Sequence, residues 1–284
     1  MEKKKDIYIV KANGEREIFD ISKLEDSLTR AGTSPELVKE ISDKIENSLV
    51  EGMKTKDIYK KAFSFLIKQE DKTPAAKYSV RRAILDLGPH GFPFEDFVGE
   101  IFRARGYQVE VGKTVNGFCV MHEMDVVAQN EKELWMIEIK FHNNVGVKSD
   151  LKTALYVKAR FDDLEKGDSF KNINEGKLRK RVLLTNTKFS SRAIQYGTCA
   201  GLTLIGWNYP HKGNLQDLIN ETGLHPLTCL TTLTKKEKQE FLNQGIVLCR
   251  DLTASDKNIL KTMKMTDSRL KEVSDEIKVL CKLD

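Results

Sequence analysis

Apolar and polar residues alternate through 6–11 and again through 15–20, a period of two that predicts two short strands. The turn between them, Ala12-Asn13-Gly14-Glu15, carries an Asn-Gly step suited to a tight hairpin. The period then lengthens and predicts helices over 21–31, 35–51, 55–67 and near 75–85, punctuated by Gly32, Gly52 and Pro74. Thr55, ahead of Ile58 and Tyr59, reads as an N-cap. Gly88-Pro89-His90-Gly91 breaks the pattern. Beyond it, Phe94, Phe97, Val98, Ile101 and Phe102 predict an amphipathic helix over 94–105. Strands are expected over 107–111, 118–129 and 134–141, and a helix over 150–164. Apolar runs of strand length at 181–185 and 202–207 flank a helix at 191–200. Strands alternating with helices predict an α/β core. From Gly223 the pattern is helical, over 234–243, 255–265 and 268–281. The expected fold class is thus α+β and multidomain, with boundaries at 1–87, 88–222 and 223–284.

Composition narrows this only slightly. At roughly 100–200 residues per domain, 284 residues allow two or three domains. With 40% apolar and 31% charged residues, an intrinsically disordered chain is excluded. The five cysteines are odd in number and form no C-x-x-C pair, so neither a zinc site nor a disulfide framework is expected, and a reducing, cytoplasmic compartment fits. No apolar run reaches the ~18 residues of a membrane span, and the basic start Met-Glu-Lys-Lys-Lys-Asp is not followed by an apolar stretch, so no signal peptide is expected. The net charge of +5 is spread evenly: 18 basic against 15 acidic residues in 1–85, and 11 against 9 in 223–284. Nucleic acid is therefore permitted as a partner, but its contact surface has to come from local clustering.

The chemistry concentrates in the second segment. Glu138 and Lys140, two apart on a predicted strand, share a face. If 118–129 and 134–141 pair as a hairpin around the polar run 130–133, Asp125 falls opposite Glu138, and directly opposed residues hold their Cβ atoms roughly 4.5–5.5 Å apart. Two carboxylates so placed repel, and a divalent cation relieves them; Mg²⁺ (or Mn²⁺) suits one or two carboxylates completed by water and phosphate oxygens. Lys140 would orient a water and stabilise developing negative charge. His122 and His142 flank the set, but their strand parity assigns them to the opposite face. Gly112-Lys113-Thr114 is not a phosphate-binding loop, because the glycine required five residues before Gly112 is Tyr107.

Asp125, twelve intervening residues, then Glu138-Ile139-Lys140 resembles the D…ExK signature of the PD-(D/E)XK nucleases. Phe94-Glu95-Asp96-Phe97 through Arg105-Gly106-Tyr107, and Thr185-Asn186-Thr187-Lys188-Phe189 with Ala193, resemble the opening helix and later part of the Mrr-like restriction endonucleases. The resemblance spans roughly 94–219. His122-Glu123-Met124 departs from it where Mrr-like proteins often carry glycine. It implies a restriction-endonuclease-like core with Asp125, Glu138 and Lys140 as catalytic residues, Asp125 and Glu138 as metal ligands, and Glu95 as a supporting acid of the first helix.

Ile9-Val10-Lys11-Ala12-Asn13-Gly14, with Glu17, Asp20, Lys23-Leu24, Thr55, Asp57-Ile58-Tyr59 and Ala76-x-Tyr78, resembles the ATP-cone, a small regulatory domain. That resemblance covers 6–85 and implies binding of ATP or dATP. Lys11 and Lys23 would meet phosphates, and Ile9, Glu17, Asp20, Thr55 and Tyr59 would line the rest of the pocket. Where family members usually carry two adjacent basic residues, this chain has Lys11-Ala12. The third segment resembles a helix-hairpin-helix module around Gln244-Gly245-Ile246; a helical cap or dimerisation element fits the same pattern. Two functions follow: a metal-dependent, nucleotide-regulated DNA endonuclease acting in restriction or repair as a homo-oligomer, or a nucleotide-sensing DNA-binding regulator whose nuclease-like core does not cut.

Overall fold

The structure, a computed structural model, describes residues 6–69, 72–88, 92–144, 146–167, 177–254 and 265–281. The chain forms two compact units: residues 1–83, 144–146 and 225–284 make the first, and 84–143 with 147–224 the second. Of the sequence features above, residues 89–91 of the expected boundary and the expected helix over 255–265, apart from its last residue, lie outside the described residues.

In the first unit, β1 (Tyr8–Val10) pairs antiparallel with β2 (Arg16–Ile18), Ile9 facing Glu17. Helices α1 (Ile21–Arg30), α2 (Pro35–Asn47), α3 (Thr55–Leu66) and α4 (Thr73–Leu85) follow. Their apolar faces meet in one core of Leu24, Leu28, Ile41, Ile45, Ile58, Ala62, Leu66 and Ala75. The helix expected to run to 51 stops at Asn47. The chain after it is claimed by β1: Gly52 N donates to Tyr8 O and Val10 N to Met53 O. Lys54, rather than Thr55, sits at the N-cap of α3, and Thr55 is the first helical residue, because Lys54 is held in a parallel bridge to Val10.

The C-terminal segment belongs to this same unit. A 3₁₀ turn (Leu227–Cys229) leads to α9 (Lys235–Asn243), whose Thr234–Glu237 capping box closes both N-terminal donors. Gly245, with φ +79°, turns the chain into the short α10 (Asp251–Ala254). The last helix, α11 (Asp267–Cys281), is tied down by Glu276, whose carboxylate accepts from the main-chain N–H and the hydroxyl of both Thr231 and Thr232. The turn docks on α4: Thr228 Oγ1 donates to Ala83 O at 2.6 Å, and Ser79 Oγ lies 3.5 Å from Cys229 O. What the pattern of residues presented as two separate segments is thus one packed body. Cys229 and Cys249 are free thiols with sulfurs 3.7 Å apart.

The second unit is built on a five-stranded sheet. Helix α5 (Phe92–Ala104) leads into β3 (Gln108–Asn116), β4 (Met121–Gln129) and β5 (Glu133–Lys140), an antiparallel meander. After β6 (Lys148–Ser149), α6 (Leu151–Lys166) crosses to β7 (Leu178–Thr185), parallel to β5; β8 (Lys188–Phe189), α7 (Ser191–Cys199) and β9 (Thr203–Ile205) follow, β9 parallel to β7, and α8 (Leu215–Thr222) closes the unit. Phe94, Phe97, Val98, Ile101 and Phe102 are all fully buried, as the amphipathic spacing predicts. On α6, Ala154, Val157, Phe161 and Leu164 pack with Leu134, Met136 and Leu183 of the sheet. The strand expected from 118 begins at Met121, because Gly117 N bonds Val120 O in a tight turn that Asp163 of α6 clamps by accepting from the N–H groups of Cys119 and Val120. The glycine is required there: a Cβ on Gly117 would sit 2.1 Å from Asp163 Oδ2. Gly112 lies inside β3, consistent with rejecting a phosphate loop. Helix α8 was not anticipated, although its Asn214–Asp217 capping box has the spacing that announces a helix start.

Thr228→Val should cost about 1–3 kcal/mol in denaturant unfolding, because it leaves a buried carbonyl without its donor at unchanged side-chain shape. The loss should fall on the transition that reports the first unit, read as a lowered midpoint at unchanged m-value.

Candidate active site

Strand pairing places the acidic pair. The β4–β5 ladder runs from Val126↔Ile137 to Gln129↔Leu134, the register expected from the polar turn, and Asp125 and Glu138 are the next residue on each strand. Asp125 Oδ2 accepts from Ile139 N at 2.6 Å, which locks the carboxylate onto the neighbouring strand. Asp125, Glu138 and Lys140 line one cleft of about 400 Å³, together with Lys152, Thr153, Tyr156 and Arg160 of α6. The chain leaving β5 is fixed from β7 and the turn after it. Thr185 Oγ1 donates to Lys140 O, and Asn186 bonds both the N–H and the carbonyl of His142.

Glu138 is only 5% exposed. Its Oε2 accepts from Arg160 Nη1 at 2.9 Å, while its Oε1 is buried with no hydrogen-bond partner among the described residues. Burial first, then the charge of Asp125, pushes its pKa up to about 8, against the opposing Arg160 guanidinium; Glu95 and Glu123 add to the rise. Burial also raises Asp125, opposed by its bond to Ile139 N–H and by Arg160. Glu95, on the first turn of α5, does not line the cleft, but it feels it: burial and then the charge of Asp125 lift it to about 7.

Sequence reasoning missed the α6 contribution. Arg160 donates to Glu138 and, through Nη2, to the carbonyl of Glu123, so it bridges two strands' worth of acidic residues. The available signal was Lys152, Tyr156 and Arg160 recurring every four residues along the expected helix. His122 departs from its parity assignment: it reaches Asp163 on α6, Nε2 to Oδ2 at 2.8 Å, because the end of the hairpin is drawn onto that helix. His142 bonds Ser149 Oγ at 3.0 Å. Neither contacts the acidic pair. Among the described residues, no three His, Cys, Asp or Glu side chains converge as a ready-made metal group. What the cleft offers is a two-carboxylate site with an orphaned buried oxygen. That fits a hard cation completing its shell with water and phosphate.

In the first unit, Lys11 and Lys23 both turn to Glu17, at 2.5 and 3.6 Å, and Lys23 lies 3.9 Å from Asp20. Burial works to raise Glu17, but the two ammoniums outweigh it and hold its pKa below the ordinary value. Asp20 caps α1, accepting from Ser22 N–H and Oγ–H. Ile9, the strand partner of Glu17, is buried. The Val10–Lys54 bridge brings Thr55 beside β1, and Tyr59, one turn further, stacks on Tyr78 with centroids 5.1 Å apart. The expected nucleotide residues Lys11, Glu17 and Lys23 therefore cluster, with the start of α3 alongside β1.

Known proteins bear on both units. The ATP cone domain family matches residues 7–87, and the family described as AF1548-like, C-terminal, matches residues 225–281. An uncharacterized protein of Archaeoglobus fulgidus is 35% identical over 181 residues, 64% of this chain and 98% of that protein. The chain belongs to the AF1548-like family. The crystal structure of AF1548, a protein of unknown function, superposes with a TM-score of 0.52 at 34% identity, covering 67% of this chain and 98% of its own. In this AF1548-like chain the cone match up to residue 83 and the whole C-terminal family segment lie in the first unit. Among the described residues, no helix is long and apolar enough to cross a membrane.

The raised carboxyls set a pH dependence in metal-free solution. Glu138 ionises near 4.5 when unfolded and near 8 when folded. The native state therefore binds the extra proton, and stability present below pH 4.5 is lost as pH rises toward 8. The melting temperature of the second unit should fall over that window. Glu138→Gln should flatten the fall, and an unchanged slope in that variant would contradict the assignment.

Proposed function

We propose that the chain is a metal-dependent endonuclease whose cleft hydrolyses phosphodiester bonds in DNA, under control of ATP or dATP bound at the cone. The observation that carries this reading is the orphaned Oε1 of buried Glu138, opposed to Asp125 with Lys140 on the same strand face. A sheet keeps such a repelling pair at a cost, and a divalent cation makes use of it. Asp125 and Glu138 would hold Mg²⁺ or Mn²⁺, which when bound supplies Lewis acidity toward a phosphoryl oxygen and lowers the pKa of water. Lys140, exposed and lining the cleft, would orient the attacking water and offset charge developing on the phosphate. Asp125 is held in place by Ile139 N–H, and Glu95 adds negative potential behind the pair. The resemblance to Mrr-like nucleases in residues 94–219 points the same way.

One observation favours the second reading. Arg160 already neutralises Glu138 without any metal, as a DNA-binding regulator with a non-cutting core would require. The same assay separates the two. Asp125→Ala and Glu138→Ala should abolish Mg²⁺-dependent cleavage of DNA, and Lys140→Ala should slow it roughly 10²–10³-fold, with circular dichroism unchanged. No cleavage by the unmodified chain, on any DNA form and with either metal, would leave the regulator.

At the cone, Lys11 and Lys23 both reach Glu17, and phosphates would take over both ammoniums. Calorimetry should show ATP or dATP binding that Lys11→Ala or Lys23→Ala weakens about tenfold each, since a charge-assisted hydrogen bond contributes roughly 1.5–3 kcal/mol. Light scattering with either nucleotide should show a change in oligomeric state in the unmodified chain. Absence of binding at millimolar nucleotide would remove the regulatory part of the proposal.

A further inference from the structure

Helix α6 starts at the cleft and runs along it, and its contribution exceeds what holding a scissile phosphate requires. Lys152, Thr153, Tyr156 and Arg160 share one helical face and all line the cleft. Two of them are left in an unusual state. Tyr156 is 63% exposed, an aromatic ring kept in water beside an acidic site. Arg160 is its opposite: largely buried, with Nη1 on Glu138, Nη2 on Glu123 O, and an Nε–H that is buried and has no hydrogen-bond partner among the described residues. The guanidinium lies 5.7 Å from the Tyr156 ring centroid. An exposed ring face, a buried cation beneath it with a donor to spare, and Lys152 two turns back along the same face therefore meet in a cleft of about 400 Å³. That volume lies within the range of small-ligand pockets.

Sites for single-stranded nucleic acid combine these elements, a ring on which a base stacks and cations that track the backbone. A base inside a duplex already has both faces stacked on its neighbours and cannot offer one to Tyr156; an unpaired base can. We propose that the α6 face is a subsite for one unpaired nucleotide, with Tyr156 stacking its base and Arg160 and Lys152 holding its phosphate. This makes single-stranded nucleic acid, or the frayed or overhanging end of a duplex, the substrate of the cleft. On that reading Arg160, which donates to Glu138, would exchange this partner for the substrate phosphate. The inference rests on the nuclease reading for the scissile bond next to this nucleotide, but the binding it predicts can be measured without cleavage.

The test uses the full chain carrying Lys140→Ala and a single-stranded DNA oligonucleotide with one 2-aminopurine, alone or annealed as a blunt duplex, with Mg²⁺ present. Fluorescence anisotropy should show the single strand bound at least tenfold more tightly than the duplex, and the 2-aminopurine emission should fall on binding as the base stacks. Adding Tyr156→Ala should weaken single-strand binding about 5- to 150-fold, abolish the emission change and leave duplex affinity as it was, while Tyr156→Phe should retain both signals. Tyr156 is exposed, so these variants fold. Equal affinity for the two DNA forms, or single-strand affinity untouched by Tyr156→Ala, overturns the subsite. Product release by the unmodified chain is scored separately. Single-strand preference without product overturns the nuclease and keeps the subsite; product from blunt duplex without that preference does the reverse.

Discussion

Two carboxylates held side by side in a sheet raise the energy of the folded state at every pH at which both are ionised, and the second unit is organised around that cost. The β4–β5 register ends at Val126↔Ile137, one residue short of Asp125 and Glu138, and Asp125 is tied to β5 by accepting from Ile139 N–H. The core behind them is fully apolar, with Val126, Met136, Ile137 and Leu184 at zero exposure, so water cannot screen the pair from that side. Relief comes from α6. The same helix that fills the core with Val157 and Phe161 carries Arg160 to Glu138. Burial first, and then the charge of Asp125, raises the pKa of Glu138, while the apolar packing of α6 is what brings Arg160 within reach of it.

Both units deal with charge in the same manner. In the cone, Lys11 and Lys23 rest on Glu17; in the cleft, Arg160 rests on Glu138. In each, a cation lies against a carboxylate. Such pairs limit what an anion gains on binding, since it has to displace an existing partner. They also keep buried charge from being left uncompensated, which is the larger penalty.

The acidic pair was legible in the residues because a short polar turn at 130–133 fixes a hairpin's register, and strand parity does the rest. The buried stripe of α5 was legible for the same kind of reason, a period matching a geometry. Arg160 was not, because nothing local says which face of a helix will dock on which face of a sheet; that is decided by the packing of Val157, Phe161 and Leu164. His122 was misassigned because parity assumes a strand that keeps its pleat to the end, and the β3–β4 turn is instead pulled onto Asp163. Thr55 has the better capping side chain, yet Lys54 holds the N-cap because a backbone bridge to Val10 fixes it there. The union of the first 83 residues with the last 60 left no local trace at all, since its contacts, such as Thr228 to Ala83, join residues 145 positions apart.

That union bears on how the protein is made. Closing a loop of about 140 residues adds little to the entropy of the finished structure, since the cost grows only as the logarithm of length. It matters far more in time. At roughly 5–20 residues per second, the ribosome releases the end of α4 on the order of ten to forty seconds before α11. Throughout that interval the carbonyl of Ala83 waits for Thr228, and the nascent cone exists as a fragment whose final packing partner has not been synthesised. The first unit therefore begins to emerge before the second and is completed after it.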